Sequence, residues 1–243
     1  MTEVPPELTW KSPKTKRAPV ILQRLDAAYD GGHIELDFTN PFELLVATVL
    51  SAQSTDKMVN QVTKDLFAKY RTPQDYLSVP EEELQVDLYS TGFYRQKTKA
   101  VRSISAALIE RFDGEVPLRM ADLVSLPGIA RKSANVILAA AAPDAHRADK
   151  TAGVAVDTHV RRLSKRFGFT RHDDPVKIER DLMRLFPKPT WPDVPLVVIL
   201  HGRRVCDALR PRCGGCVVQD LCPSSQLLPR RDLAGQAKGL GRG

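Results

Sequence analysis

The chain has 243 residues, 42% of them hydrophobic, and a formal net charge of +7. That is enough for one large domain or two small ones with a sizeable core, and no apolar run is long enough to span a membrane. The N-terminus is polar, without an apolar segment ending in a small-residue cleavage site, so a cytoplasmic location is expected and disulfides are not. The positive balance suits a polyanion, since neutralising phosphates releases condensed counterions, although a generic basic surface fits the charge equally well.

Residues 1–18 hold Lys11, Lys14, Lys16 and Arg17 among prolines and read as a flexible basic arm. From Ala18 onward the hydrophobic period is helical. Asn40-Pro41-Phe42-Glu43 combines an N-cap, a proline at the first helical position and a glutamate at the third. Leu44, Leu45, Thr48 and Val49 continue that helix. Val59, Val62, Leu66 and Phe67 mark the next, after which Thr72-Pro73 repeats part of the starting signal. Val101, Ile104, Ala107, Leu108 and Phe112 mark a third. No alternating pattern of strands stands out, and the spacing predicts a mostly α chain of about ten helices.

Leu126 to Asn135 (Leu-Pro-Gly-Ile-Ala-Arg-Lys-Ser-Ala-Asn) predicts a helix ending near Val124, a Pro-Gly turn and a new helix. Gly128 allows a tight turn with close backbone approach, and the amides that open the new helix offer an anion site. An ordinary turn between packed helices would look the same. The apolar positions Ile129, Val136, Ile137 and Ala140 form a stripe that 132 and 133 complete. This directs Lys132 towards the buried side or its edge, where desolvation beside other cations favours a nucleophilic amine. Further on, Asp157 precedes the apolar spacing Val160, Leu163, Phe167 and reads first as a helix N-cap, a role compatible with facing a cleft. His159 reads as a structural, hydrogen-bonded histidine.

The four cysteines, Cys206, Cys213, Cys216 and Cys222, fall in one stretch spaced C-x6-C-x2-C-x5-C. Four thiolates from one loop suit an iron–sulfur cluster or zinc. Structural zinc sites usually use two C-x2-C pairs, and one is present, so spacing leaves both open. Arg203, Arg204, Arg210 and Arg212 surround the first two cysteines and are candidates for phosphate contact or for a solvated rim. Residues 224–243 are basic and glycine-containing and read as a flexible tail.

Together these stretches resemble the endonuclease III family of helix–hairpin–helix DNA glycosylases, over Val20 to Pro223. The matching segments are Asn40 to Leu45 through Ser51-Ala52-Gln53, Leu126 to Leu138, Val156 to Val160, and Leu200-His201-Gly202-Arg203 into the cysteines. The resemblance implies an all-α fold with two helical domains flanking a DNA-binding cleft. One is a six-helix barrel with the hairpin, over 34–144. The other is a [4Fe–4S] cluster domain formed from 19–33 and 145–223, with the four cysteines as ligands.

It further implies a bifunctional glycosylase and abasic-site lyase acting on duplex DNA as a monomer and excising oxidised pyrimidines such as thymine glycol. Lys132 would form the Schiff base and Asp157 would be the catalytic carboxylate. Gln53 would fill the gap left by the extruded nucleotide and Phe93 would stand at the wedge. Gly128, Ile129, Ala130, Arg131, Arg203 and Arg212 would contact DNA. Three residues depart from the family pattern: Ala130 replaces a second glycine, Ser133 a threonine, and Phe93 a leucine. Residues 142–153 are longer than the usual connection. A related adenine mismatch glycosylase would carry a glutamate five residues before Gln53, where Thr48 stands, and would lack Lys132. A non-catalytic DNA-binding module with a structural metal would use the hairpin without needing Lys132 and Asp157 together.

Overall fold

A computed structural model of the chain describes residues 8–228, which hold twelve α-helices, three short 3-10 turns and no strand. They divide into two compact units: Met1–His33 with Val156–Gly243, and Ile34–Ala155.

The chain enters through α1 (Lys14–Ala28), and here the expected basic arm is corrected. Ala18, Ile21 and Leu25 recur at helical spacing and are at most 1% exposed, so the segment packs as soon as it becomes helical. Two of its cations are taken up locally. Arg17 is buried, donating through Nη1 to the carbonyls of Phe167 and Leu221 and through Nε to that of Ser12, each at 2.8 Å. Lys14 Nζ donates to the Phe169 carbonyl at 2.8 Å. Residues 1–7 of the expected arm lie outside the described residues.

The Ile34–Ala155 unit contains α2 (Pro41–Leu50), α3 (Asp56–Lys69), α4 (Pro73–Ser78), α5 (Glu81–Leu88), α6 (Tyr94–Phe112), α7 (Met120–Leu123), α8 (Arg131–Ala141) and α9 (Pro143–Ala148). The starts follow the sequence signals. Asn40 Oδ1 accepts the Glu43 N–H at 3.0 Å, and Glu43 Oε2 reaches back to the Thr39 N–H at 2.6 Å. Thr72 and Asp75 close a reciprocal capping box. The core is one cluster in which Leu45, Leu66, Leu88, Ile104, Leu108 and Ile137 are essentially inaccessible. Helix α2 is buried on nearly every side, so its hydrophobic run marks it as the central helix of the unit.

The boundary expected at residue 144 falls at Ala155 instead. The added segment is tied to the barrel by its polar groups. Asn135 Oδ1 accepts the Gly153 N–H at 2.8 Å, Asp149 Oδ2 accepts the Met120 N–H at 2.8 Å, and buried His146 shares a hydrogen bond between Nε2 and the Gly153 carbonyl. For Asp149, burial acts to raise the carboxyl pKa. Hydrogen bonds from the Thr151 side chain and from the N–H groups of Met120, Thr151 and Ala152 outweigh it and hold the value at about 2.

The other unit adds α10 (Thr158–Arg166), α11 (Pro175–Leu185) and α12 (Asp193–Arg204) to α1. Helices α10 and α12 meet at Gly202, where a Cβ would stand 2.8 Å from His159 Nδ1 and 3.1 Å from Arg162 Nη2, so glycine alone permits the approach. The cysteine segment follows α12. The flexible tail expected from Ser224 is corrected at its start: Ser225 is 1% exposed and donates its N–H to the Cys222 carbonyl at 3.1 Å. From 229 onward, including Arg230, Arg231, Lys238 and Arg242, the tail lies outside the described residues.

Candidate active site and cysteine loop

Helix α7 stops at Leu123, and the hairpin turn is closed by N–H bonds from Leu126 to Leu123 and from Ile129 to Leu126. Leu126 and Ile129 are the buried anchors of this turn, at 2% and 5% exposure. Ile129, expected among the DNA contacts, therefore turns its side chain inward and spends its N–H on the turn. Gly128 has φ +74°, the left-handed region, and a Cβ there would meet nothing within 4 Å: it faces open space. Ala130 is the N-cap of α8 at φ −82° and ψ 164°, a conformation any residue adopts, so the missing second glycine costs the backbone nothing. No side chain caps α8 there, and its opening N–H groups have no intrahelical partners. Arg131 is exposed and donates from Nη1 to the Thr151 carbonyl at 2.9 Å.

Lys132 requires a correction. The buried face of α8 is Ala134, Asn135, Ile137 and Leu138, while Val136 and Ala140 are only half-buried. This rotates Lys132 to the exposed side, next to half-buried Ser133. Its amine is reachable from solvent, as a nucleophile meeting a large substrate must be.

Beside Ser133 opens a cavity of about 260 Å³, bounded by the C-terminal end of α2, the start of α6 and the Pro127-Gly128-Ile129 turn. Gln53 and Phe93 stand on its lining, both exposed and both in the left-handed region, at φ +53° and +51°. A bulky residue at positive φ costs about 1–2 kcal/mol and is uncommon outside functional sites. Phe93 is 56% exposed, an apolar ring held out at the head of α6. The same cavity is lined by two polar side chains that are buried: Thr48, 8% exposed with no hydrogen-bond partner for Oγ1, and Lys97, 4% exposed, donating to the Thr91 carbonyl at 2.7 Å. Burial pushes the Lys97 ammonium below the usual lysine value.

Asp157 belongs to the other unit and caps α10, its Oδ1 accepting the Val160 N–H at 2.7 Å. It is half-buried, and Oδ2 takes part in no hydrogen bond among the described residues. His159 is half-buried, and desolvation lowers its pKa despite the nearby Asp157 carboxylate. Its Nδ1 faces Arg162 Nη2 at 3.1 Å, so it is a packed, hydrogen-bonded residue as its position in the first turn predicts.

Helix α10 also reaches the cysteine loop. Arg162 Nη2 donates to the carbonyls of Gly202 and Cys206, at 3.0 and 3.1 Å. Arg166 donates to the carbonyls of Cys206, Asp207 and Ala208 and to Cys206 Sγ at 3.1 Å. All four cysteines are unpaired thiols lining one cavity with Arg166, Arg212 and His201. His201 Nε2 lies 3.4 Å from Cys216 Sγ. Burial and the neighbouring cysteines raise the Cys216 pKa and push Cys222 up to about 12. For Cys216 and Cys222 burial is the main cause, and the nearby sulfurs add to it. Among the described residues no group of three or more His, Cys, Asp or Glu side chains is assembled to hold a metal ion as it stands. Arg203, Arg204, Arg210 and Arg212 are exposed. Arg204 lies over the Tyr29 ring, 5.8 Å from its centroid.

Residues 46–188 match the model of the HhH-GPD superfamily base excision DNA repair proteins. Endonuclease III of a Synechocystis species is 47% identical over 88% of this chain and 94% of its own length, and that of Bacillus subtilis is 44% identical over 92% and 98%. The chain belongs to the endonuclease III family. As a member of it, the chain is a base excision DNA glycosylase and abasic-site lyase that works on duplex DNA. A non-covalent endonuclease III–DNA complex superposes with a TM-score of 0.80 at 43% identity, covering 87% of this chain and 96% of that one. A trapped endonuclease III–DNA covalent intermediate superposes at 0.79, also at 43% identity, covering 87% and 97%. No described helix is long and apolar enough to cross a membrane.

Sequence reasoning did not single out Lys97, Arg162 or Arg166. Signals existed for each. Lys97 occupies the apolar stripe of α6 that continues as Val101, Ile104 and Leu108, and Arg162 and Arg166 are four apart on the helix that Asp157 caps.

Proposed function

We propose that Lys132 is the amine that replaces the base at C1′ and that Asp157 is the carboxylate serving the same sugar. The observation carrying this is an exposed lysine in the first turn of α8, immediately after a left-handed turn and beside a cavity lined by Gln53 and Phe93. The target base lies inside a duplex and must be lifted out. The Gly128 turn and the uncapped amides of α8 bind a phosphate next to it, and Arg131, with Ala130 offering no obstruction, adds charge. Phe93 and Gln53 enter the stack where the nucleotide was. The neutral Lys132 amine attacks C1′, the bond to the base breaks, and the base leaves with the electron pair. Oδ2 of Asp157 takes the amine proton and its charge stabilises the cationic sugar. The resulting Schiff base acidifies the C2′ proton, and β-elimination breaks the strand on the 3′ side. Oxidised pyrimidines are the proposed lesions, and contact with the cytoplasmic nucleoid follows from the substrate.

Cys206, Cys213, Cys216 and Cys222 would hold a [4Fe–4S] cluster. Four soft thiol ligands lining one cavity, flanked by Arg166 and Arg212, fit that group, and its ferric and ferrous charge would relieve the mutual repulsion of the thiolates. When bound it would supply a cross-link of the loop, from which Arg212 would reach a phosphate, with Arg203 doing so from the end of α12. The Thr48 hydroxyl argues against adenine excision, since it cannot do the acid–base work of a carboxylate.

The test is borohydride reduction of the protein on duplex DNA bearing thymine glycol. A covalent adduct with wild type and none with Lys132→Ala supports the reading. An adduct that survives in Lys132→Ala overturns the assignment of the nucleophile. Absence of adduct and of cleavage, on thymine glycol and abasic duplexes alike, overturns the lyase chemistry.

A further inference from the structure

We propose that His201 donates its Nε2 hydrogen to the sulfur of Cys216, that Tyr29 fixes the imidazole tautomer this requires, and that the bond raises the reduction potential and the retention of a cluster held there. The proposal rests on the reading of the four cysteines as cluster ligands and adds two positioning residues behind one of them.

The geometry is a hydrogen-bonded file of three side chains. His201 Nε2 lies 3.4 Å from Cys216 Sγ, and Nδ1, on the other edge of the ring, lies 2.8 Å from the Tyr29 hydroxyl. A ligating sulfur carries no hydrogen and can only accept. The contact to it is bonding only when the hydrogen sits on Nε2. Nδ1 then keeps the lone pair of the neutral tautomer, and the Tyr29 hydroxyl, free to rotate, donates to it. A hydrogen on Nδ1 would instead turn two lone pairs, one of nitrogen and one of sulfur, against each other at a ring only 1% exposed.

The ring is held in this position. Tyr29 and Phe167 pack against it, with centroids 6.0 and 6.2 Å away. Its backbone serves the loop as well, since the His201 carbonyl accepts the Cys206 N–H at 2.8 Å. One residue in the last turn of α12 therefore addresses two cysteines, Cys206 through the main chain and Cys216 through the side chain. Cys206 has a different donor, Arg166 Nη1 at 3.1 Å. That guanidinium is half-buried, and solvent screens part of its charge. His201 offers a fixed dipole out of water, where a hydrogen bond is electrostatically stronger.

An N–H donor draws electron density from the sulfur it faces. It stabilises negative charge on the ligand, and so favours the reduced, more negative state of a bound cluster over the oxidised one. Tyr29 acts only through the ring, by keeping the hydrogen on the side of the sulfur.

The test is protein-film voltammetry of the full chain after anaerobic reconstitution, with iron and sulfide content and thermal unfolding beside it. Wild type is compared with Tyr29→Phe, His201→Leu and His201→Gln. Phenylalanine keeps the ring and removes only the hydroxyl. Glutamine can place an amide N–H near the position of Nε2. The potential is expected to fall in His201→Leu, to fall less in Tyr29→Phe, and to return towards wild type in His201→Gln. Release of iron to a chelator should run roughly three- to tenfold faster in His201→Leu, the range for one hydrogen bond. A lowered Tm with wild-type potential in both His201→Leu and Tyr29→Phe would make the residues structural only and overturn the proposal. If His201→Leu does not load, Tyr29→Phe decides: a lower potential supports the proposal and an unchanged one overturns it. A wild type that takes up zinc and no sulfide would bring down the cluster reading and the proposal with it, a failure recognised from the metal content before any variant is measured.

Discussion

Substituting Gly128 with alanine separates what the hairpin does for the fold from what it does for DNA. The backbone there is left-handed, at φ +74°, which costs an L-residue about 1–2 kcal/mol. A stiffer unfolded chain returns about 0.4–1 kcal/mol of that. No clash adds to it, because the new Cβ meets nothing within 4 Å. The net destabilisation is therefore about 1 kcal/mol, a fall in Tm of about 2–4 °C for a protein of this size. The same methyl group projects from the turn where a phosphate is expected. Loss of one such contact should raise Kd for duplex DNA about tenfold, with the salt slope of log Kd unchanged because no cation is removed. Ala130→Gly is the companion, since its extended backbone is already relaxed: affinity should hold while stability drops by at most about 1 kcal/mol. Fluorescence anisotropy across a salt series, with thermal unfolding beside it, reads both quantities. A Gly128→Ala protein with the expected Tm and wild-type affinity would refute phosphate binding at this turn.

Asp157→Asn keeps an oxygen for the Val160 N–H, so thermal unfolding should change by less than about 0.5 kcal/mol, while single-turnover excision falls about a hundredfold or more with the lost charge. Gly202→Ala should destabilise by about 1–3 kcal/mol in denaturant melts, because its Cβ would overlap His159 Nδ1. Asp149→Asn should cost stability at neutral pH. The Asp149 carboxyl is depressed to about 2, so its contribution is present above the unfolded value near 3.9 and disappears as pH falls towards 2. Acid unfolding curves of the two proteins should accordingly converge in that window. Serine at Cys216 should lower bound iron and sulfide after anaerobic reconstitution, measured chemically; full loading would remove that residue from the ligand set.

Much of this architecture is written in local signals. Asn40, Pro41 and Glu43 announce α2 because capping is a three-residue interaction, and the spacing of Val160, Leu163 and Phe167 places Asp157 at an N-cap for the same reason. The hairpin turn is legible because only glycine adopts its backbone cheaply. Misjudged features depend on partners distant in sequence. Arg17 looks like a free cation until the carbonyls of Phe167 and Leu221 close around it. Lys132 seemed inward-facing because Val136 and Ala140 are apolar. Tertiary packing instead chose Ala134, Ile137 and Leu138 as the buried face, a rotation that periodicity over one short helix does not fix. The domain boundary moved to Ala155 because Asn135, His146 and Asp149 bind the connecting segment through side chains whose reach no spacing rule encodes.

Helix α10 has its proposed catalytic carboxylate at one end and, through Arg162 and Arg166, the backbone of the cysteine loop in its grip along the other. About one rigid turn and a half of helix therefore separates the carboxylate from the first of those arginines, so a displacement of either end is carried by the same backbone.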